Sequence, residues 1–244
     1  SVSSIPSTVE GALAKHYKLP SCWGPGKGSA PILADQTMDV GTYLPDPESE
    51  QIWVGCPLRV HRRCDEPMFS ISNHIAYDGL MVHGKMPGLA DFPESGWLDV
   101  KGRTCEGNWV AEEGVVVEKL LLALRHQHSL TPDDVFLISP FRDCAKQLSR
   151  IAKRLGFRMD RTGTVHKTQG KEAAVVILVL GGNIKSQGAK AWAAEKPNLL
   201  NVAVSRAKQR IYVIGERALW EKQPYFSTLS RALGSYTTTK KFFF

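Results

Sequence analysis

The chain has 244 residues, of which 43% are hydrophobic and 23% charged, so it can bury a core without disulfides or metals. Glycine and proline occur at ordinary frequencies, which excludes collagen, coiled coil and global disorder. The 31 Lys and Arg against 24 Asp and Glu give a formal charge of +7, which favours polyanionic partners such as nucleic acid or nucleotides.

The five cysteines are widely spaced and form no C-x-x-C pair, so nothing indicates a zinc ribbon or a thioredoxin-like motif. Free thiols are typical of a reducing compartment, and we predict a cytoplasmic protein without a bound metal of its own. The sequence shows neither a signal peptide nor a run of apolar residues long enough to span a bilayer, so no membrane partner is predicted. Because the chain begins with Ser1 and lacks an initiator Met, we expect it to be processed or excised from a longer protein.

The first 50 residues have the least regular pattern and are predicted to form an irregular segment. The loop at 22–29 superficially resembles a phosphate-binding loop. Its spacing fails on both sides, since Ser21 stands where the first glycine is needed and Gly28 where Ser or Thr is needed. We therefore predict no nucleotide-binding loop here.

The middle of the chain mixes short strands with two helices. Strands are predicted at 52–57 and 97–100, and the apolar spacing of Met68, Ile71 and Ile75 predicts a helix over 67–77. A longer helix is predicted over 112–127 from its apolar stripe.

Beyond residue 130 the elements alternate regularly. Strands are predicted at 135–139, 164–165, 175–180 and 211–215, and helices at 141–155 and 199–208. Continuous apolar strands between amphipathic helices are typical of an α/β fold, a parallel sheet with helices on both faces. We predict this domain over 51–233, with its functional residues at the carboxyl ends of the strands, and a flexible tail over 234–244.

Two polar segments flank predicted strands in the first part of this domain. The run RVHRR ends at Arg63 and places three arginines within five residues; it is either a phosphate-binding cluster or a solvated basic turn. The strand VFLIS ends at Ser139 and Pro140, where backbone N–H groups of the next helix can hold a phosphate. The alternative for this second segment is an ordinary strand–helix junction.

Two further segments follow. The polar loop TVHKTQGKE runs from Thr164 to Glu172 and offers hydroxyl and amide ligands for phosphate and sugar. The segment NLLNVAVSRAK reads as a buried helix followed by Arg206, a position suited to an arginine finger. The cations after it, Lys208 and Arg210, are expected at the helix C-terminus, where the helix dipole favours them.

In this order and spacing, the four segments resemble the second RecA-like domain of superfamily 1 helicases. The branch is the 5′-to-3′ one that includes the nonsense-mediated-decay helicases and the helicase-nucleases of Okazaki-fragment processing. VFLISPF resembles motif IV, TVHKTQGKE motif V and NLLNVAVSRAK motif VI, and the likeness covers about residues 50–225. It implies a RecA-like sheet of the P-loop NTPase type.

The resemblance also implies a role for ten residues. Arg63 and Arg206 would act catalytically on the γ-phosphate of ATP. The nucleotide would further contact Arg62, Gln169, Gly170 and Glu172, the last through the ribose. Single-stranded DNA or RNA would contact Ser139, Pro140, Thr164 and His166.

The sequence departs from the family pattern at single positions and in one whole feature. Arg62 stands where family members often carry an aromatic residue that stacks on adenine, and Cys144 stands near a common Gln. There is no Walker A loop and no strand ending in Asp-Glu to hold Mg²⁺. The resemblance therefore implies the C-terminal half of an ATP-dependent helicase, whose phosphate loop and Mg²⁺ ligands lie on an N-terminal RecA-like partner domain, and an isolated chain without ATPase activity. The alternative is a stand-alone, non-catalytic module that binds nucleic acid or protein.

Overall fold

The computed structural model describes residues 11–12, 15–18, 34–35, 37–46, 50–55, 59–86, 92–165, 171–183 and 185–237. The chain divides into two compact units, Ser1–Arg59 and Val60–Phe244. This division falls later than the predicted boundary after residue 50. The reason is that the strand expected at the start of the second domain pairs within the first unit.

The first unit contains a β-hairpin. Its strands are β1, Gly41–Asp46, and β2, Glu50–Gly55, which pair antiparallel with Gly41 opposite Gly55. The Trp53 indole Nε1 donates to the carbonyl oxygen of Asp35 at 3.0 Å, and the ring of Tyr43 packs edge-on against Trp53.

The second unit contains seventeen further α-helices and β-strands within the described part of the chain. In chain order they are β3 Val60–His61, α1 Met68–Ala76, β4 Val82–His83, β5 Gly96–Asp99, β6 Cys105–Glu106, β7 Trp109–Val110, α2 Ala111–His128, β8 Val135–Ser139, α3 Arg142–Arg154, β9 Thr162–Thr164, β10 Ala173–Val179, α4 Gln187–Ala193, α5 Asn198–Ser205, β11 Ala207–Gly215, α6 Arg217–Trp220, α7 Phe226–Ala232 and β12 Gly234–Thr237.

The second unit is built on a six-stranded sheet in the order β12-β5-β11-β10-β8-β9. Every neighbouring pair in it runs parallel. Side chains of the central strand β10 alternate between two separate cores, with Val176 and Leu178 on one face and Val175 and Ile177 on the other. The first core includes residues of α1, α5 and α7, and the second includes residues of α2 and α3. The predicted α/β fold, a parallel sheet covered by helices on both faces, is confirmed.

Two element boundaries differ from the sequence-based expectation. Helix α5 ends at Ser205, because Ala207 already pairs with Ala173 of β10 and begins strand β11. Lys208 is therefore a strand residue and not part of a helix C-terminus.

The predicted tail also begins differently. Gly234–Thr237 form the edge strand β12, which pairs parallel to β5 with Gly234 opposite Gly96. The rest of that segment, 238–244, lies outside the described residues. None of the helices in the described ranges is long and apolar enough to cross a bilayer.

Candidate functional site

The structure separates the predicted site residues into two groups at opposite edges of the sheet. Glu172 immediately precedes β10 and Arg206 precedes β11, and the backbone N–H of Ala173 donates to the carbonyl oxygen of Arg206 at 3.0 Å. Pro140 follows β8, and Thr164 ends β9 directly opposite Ser139. Because the strands are parallel, the first pair lies at the amino edge and the second at the carboxyl edge. The expectation that all functional residues lie at carboxyl ends is therefore wrong for Glu172 and Arg206.

At the amino edge, one carboxylate is shared by two cations. Glu172 accepts Arg63 Nε on Oε2 at 3.0 Å and Lys208 Nζ on Oε1 at 2.5 Å. The hydrogen bond from Lys208, helped by the charge of Arg63, holds the pKa of Glu172 below its usual value. These side chains line a cavity of about 550 Å³, whose wall also includes Arg62 and Lys85. Positive charge predominates in this cavity, as anion binding requires.

Arg206 lies beside this ion triplet and is almost completely buried. It caps the C-terminus of α5, only 8% of it is exposed, and its Nε is a buried donor without a hydrogen-bond partner. Burial lowers the pKa of the Arg206 guanidinium and the charge of Arg63 lowers it further, while Glu172 acts in the opposite direction. A buried, unpaired cationic donor is unfavourable for folding, which is typical of a group held for a ligand.

Two histidines hold the backbone directly after Arg63. His61 Nε2 accepts the N–H of Cys64 at 3.0 Å, and His83 Nε2 lies 3.0 Å from the carbonyl oxygen of the same residue. Burial, followed by the charge of Arg63, lowers the pKa of His61, so the neutral ring serves as the acceptor. Burial also raises the pKa of the Cys64 thiol to about 12, so that Cys64 packs as a protonated side chain.

The Arg63 segment is also tied to strand β11. The N–H of Asp65 donates to the carbonyl oxygen of Lys208 at 2.9 Å, and Lys85 Nζ donates to that same oxygen at 3.0 Å. Lys85 additionally pairs with Asp65 Oδ1 at 2.6 Å. Sequence reasoning missed Lys85 and the pairing role of Lys208, because no local pattern connects residues so far apart in the chain.

Three of the residues predicted to bind nucleotide or nucleic acid lie outside the described part of the chain. Gln169, Gly170 and His166 all lie in 166–170, outside the described residues. Arg62, which is also predicted to contact the nucleotide, is exposed and lines the same cavity as Arg63.

The carboxyl edge carries a larger cavity of about 1270 Å³. Pro140 and Thr164 line it, as do Arg142 and Lys146 of α3 and Trp192 of α4. Sequence reasoning identified the first two and missed the others.

Ser139 is predicted to contact nucleic acid, but the structure places its side chain in the interior. It is fully buried, since β8 is flanked by β9 and β10, and its Oγ accepts the N–H of Phe141 at 3.3 Å. Its hydroxyl therefore supports the turn into α3 and does not reach the surface of the cavity.

The sequence of the chain is similar to those of known proteins. Residues 100–218 match the family described as AAA domain. The chain is 26% identical over 165 residues to the DNA replication ATP-dependent helicase/nuclease DNA2 of Gallus gallus. This alignment covers 65% of this chain and 16% of that protein. The second unit forms a superfamily 1 helicase-like C-terminal domain. This helicase-like domain is also 24% identical over 129 residues to the 3′-5′ exoribonuclease HELZ2 of Homo sapiens, covering 48% of the chain and 4% of that protein.

The chain thus spans less than a fifth of the length of these curated relatives. Among solved structures, the C-terminal domain of a possible DNA helicase from Lactobacillus plantarum superposes with a TM-score of 0.43 at 15% identity. The superposition covers 72% of this chain and 98% of that one. The helicase-like domain is of the kind found in nucleic-acid enzymes.

Proposed function

We propose that this domain is the C-terminal half of an ATP-dependent nucleic-acid helicase or translocase. In this proposal Arg63 and Arg206 are arginine fingers that act on ATP bound by an N-terminal RecA-like half, and the carboxyl edge binds single-stranded DNA or RNA. The observation that carries the proposal is the amino-edge cluster, in which Arg206 is buried with an unpaired Nε beside Arg63, Lys208 and a single carboxylate. Clustered cations of this kind are stabilised by an anion such as a phosphate group.

The donor set of the cluster fits the phosphate end of a nucleotide. ATP, when bound, supplies a γ-phosphoryl group, and the planar guanidinium groups of Arg63 and Arg206 would stabilise the charge on its oxygens. Glu172 would accept a hydrogen bond from a ribose hydroxyl, and the Arg62 plane would lie against the base. Since Arg63 is paired with Glu172 in this structure, it must leave that carboxylate before it can reach a phosphate. Gln169 and Gly170 stay predictions for the same site.

The remaining ligands of the nucleotide are assigned to the partner domain. No group of three or more potential metal ligands occurs among the residues that the structure describes, and the sequence has no Walker A loop. We therefore attribute the Mg²⁺ ligands and the phosphate loop to the N-terminal half. We also propose the cytoplasm as the location of the protein, because free thiols are typical of a reducing compartment.

The alternative, a non-catalytic binding module, explains the amino edge less well. Binding of nucleic acid at the carboxyl edge makes no use of Arg206, and a buried unpaired donor reduces stability by about 1–3 kcal/mol. A module without nucleotide chemistry would gain stability by losing this arginine. The burial of Arg206 therefore favours the enzyme.

The test uses a protein in which this chain is joined to the phosphate-loop domain that the proposal requires. Arg63→Ala and Arg206→Ala are each expected to lower nucleic-acid-stimulated ATP hydrolysis on the order of a thousandfold. Oligonucleotide binding without nucleotide should stay near the parent value. Arg154→Ala is the matched control, since Arg154 is an exposed arginine that pairs with Glu118 and lines neither cavity.

Two results would contradict the proposal in different ways. Near-parental ATP hydrolysis by a folded Arg63→Ala or Arg206→Ala protein would remove the arginine-finger assignment. A parent protein that binds nucleic acid but hydrolyses no ATP would instead favour the binding module.

A further inference from the structure

A half-exposed tryptophan lines the cavity at the carboxyl edge. Trp192 on α4 is 51% exposed, and its ring centroid lies 6.4 Å from that of Phe141, with the planes tilted by 36°. A large aromatic side chain left open to solvent forgoes burial that would stabilise the fold, and its free ring face is available for stacking on a ligand that enters the cavity. None of the four polar segments singled out in the sequence contains Trp192.

The ring of Trp192 rests against a fixed aromatic support. Phe141 is nearly buried and its ring lies 6.3 Å from that of the fully buried Trp220, which in turn packs 4.7 Å from Phe226. This series of rings connects the exposed indole to the core. Trp192 therefore presents its free surface from a pre-organised position, which reduces the entropy lost when a ligand binds.

The same cavity carries positive charge. Arg142 and Lys146 both line it, and because they lie four residues apart on helix α3 their side chains project from the same face. One acidic residue, Asp143, also lines the cavity, but its two oxygens accept the backbone N–H groups of Asn108 at 2.5 Å and Cys144 at 3.0 Å. The carboxylate is thus engaged internally, and the two cations face the open space.

We propose that Trp192 stacks on an unpaired base of single-stranded nucleic acid while Arg142 and Lys146 bind the adjoining phosphates. An aromatic platform beside a cationic helix face is the combination that binds single strands with little sequence preference, because every base has a π-face. A paired base is stacked within its duplex, so this subsite selects single strands over double strands. The inference rests on the proposed function of the carboxyl edge and adds a base-stacking subsite to it.

The experiment measures binding of the 244-residue chain to two fluorescein-labelled probes at low salt, by fluorescence anisotropy. One probe is an oligothymidylate and the other is an abasic oligonucleotide of the same length, which keeps the phosphates and lacks bases. The parent chain should bind the oligothymidylate about tenfold more tightly than the abasic probe, given typical base–aromatic stacking. Trp192→Ala should lower affinity for oligothymidylate to the abasic level and leave affinity for the abasic probe unchanged.

Two further variants complete the design. Trp192→Phe retains an aromatic face and should keep most of the preference for oligothymidylate. Val115→Ala removes an exposed apolar side chain from α2, which does not line the cavity, and should behave like the parent.

The outcomes separate this inference from the function on which it rests. If a folded Trp192→Ala chain binds oligothymidylate as tightly as the parent, the stacking subsite is wrong while nucleic-acid binding stands. If the parent binds neither probe, the proposed nucleic-acid surface itself is wrong, and the subsite with it.

Discussion

Arg206 gives the sharpest prediction because the proposed function and a purely structural role imply opposite changes in stability. The perturbation is Arg206→Met, which keeps an unbranched aliphatic stem but removes the guanidinium. In the folded chain the residue is almost completely buried, its Nε has no hydrogen-bond partner, and the charge of Arg63 acts against the guanidinium.

The expected magnitude follows from these contacts. Leaving a buried donor unsatisfied costs about 1–3 kcal/mol, and methionine removes this cost without losing much apolar burial. Arg206→Met should therefore raise the free energy of unfolding by about 1–3 kcal/mol. Arg206→Ala also removes the Cγ and Cδ methylene groups, worth about 0.8 kcal/mol each when buried, so its stability should stay near that of the parent.

The assay combines urea denaturation of the 244-residue chain, followed by far-UV circular dichroism, with ATP hydrolysis by the protein joined to its phosphate-loop domain. We expect Arg206→Met to be more stable than the parent and catalytically inactive. Arg206→Lys should be inactive as well, because the compact ammonium group of lysine does not reproduce the planar array of donors in a guanidinium group. An Arg206→Met chain that is less stable than the parent, together with normal turnover per folded molecule, would show that the guanidinium is a structural group and would refute the reasoning.

Three further outcomes follow from the charges of the domain. The affinity for oligothymidylate should fall steeply with salt, with a log–log slope of about −0.7 for each phosphate contacted, and a salt-independent affinity in the same titration would contradict phosphate binding. Because burial and Arg63 hold the pKa of His61 below its ordinary 6.5, the folded state favours the neutral ring. The contribution of His61 to the free energy of unfolding should be fully present above pH 6.5 and should be lost as pH falls towards the lower pKa of the folded state. His61→Gln should therefore flatten this part of a plot of melting temperature against pH. Burial raises the pKa of Glu113, whose Oε2 accepts the N–H of Gly181 at 2.9 Å, so stability should decline as pH rises above the ordinary value of 4.5. Glu113→Gln should therefore melt at higher temperature than the parent at neutral pH and at the same temperature in acid, and equal melting temperatures at neutral pH would contradict this.

The fold class could be read from the sequence because the patterns that specify it are local. The run AAVVILV is apolar at every position, as a strand covered on both faces requires, and the structure buries it between two cores as β10. The helices predicted over 67–77 and 141–155 agree closely with α1 and α3 for the same reason. The resemblance to superfamily 1 helicases implied that Arg63, Glu172 and Arg206 belong to one site, and they do lie together at the amino edge.

Errors of prediction arose where pairing across the sheet overrides local pattern. The basic run after α5 reads as a helix end, yet pairing of Ala207 with Ala173 makes it a strand. Ser139 follows the pattern of a strand end, but neighbouring strands on both sides bury it.

By itself, the sequence determined the α/β class, the order of most strands and helices, and the residue types available for binding phosphate and nucleic acid. Only the tertiary structure decided that Glu172 is shared by Arg63 and Lys208, that Arg206 is buried without a partner for its Nε, and which residues line each cavity. The physical reason is that periodicity and residue type record only a residue's own surroundings along the chain. Parallel strands are joined by crossovers that bring distant segments side by side, so contacts such as that of Trp192 with Phe141 depend on the assembled sheet.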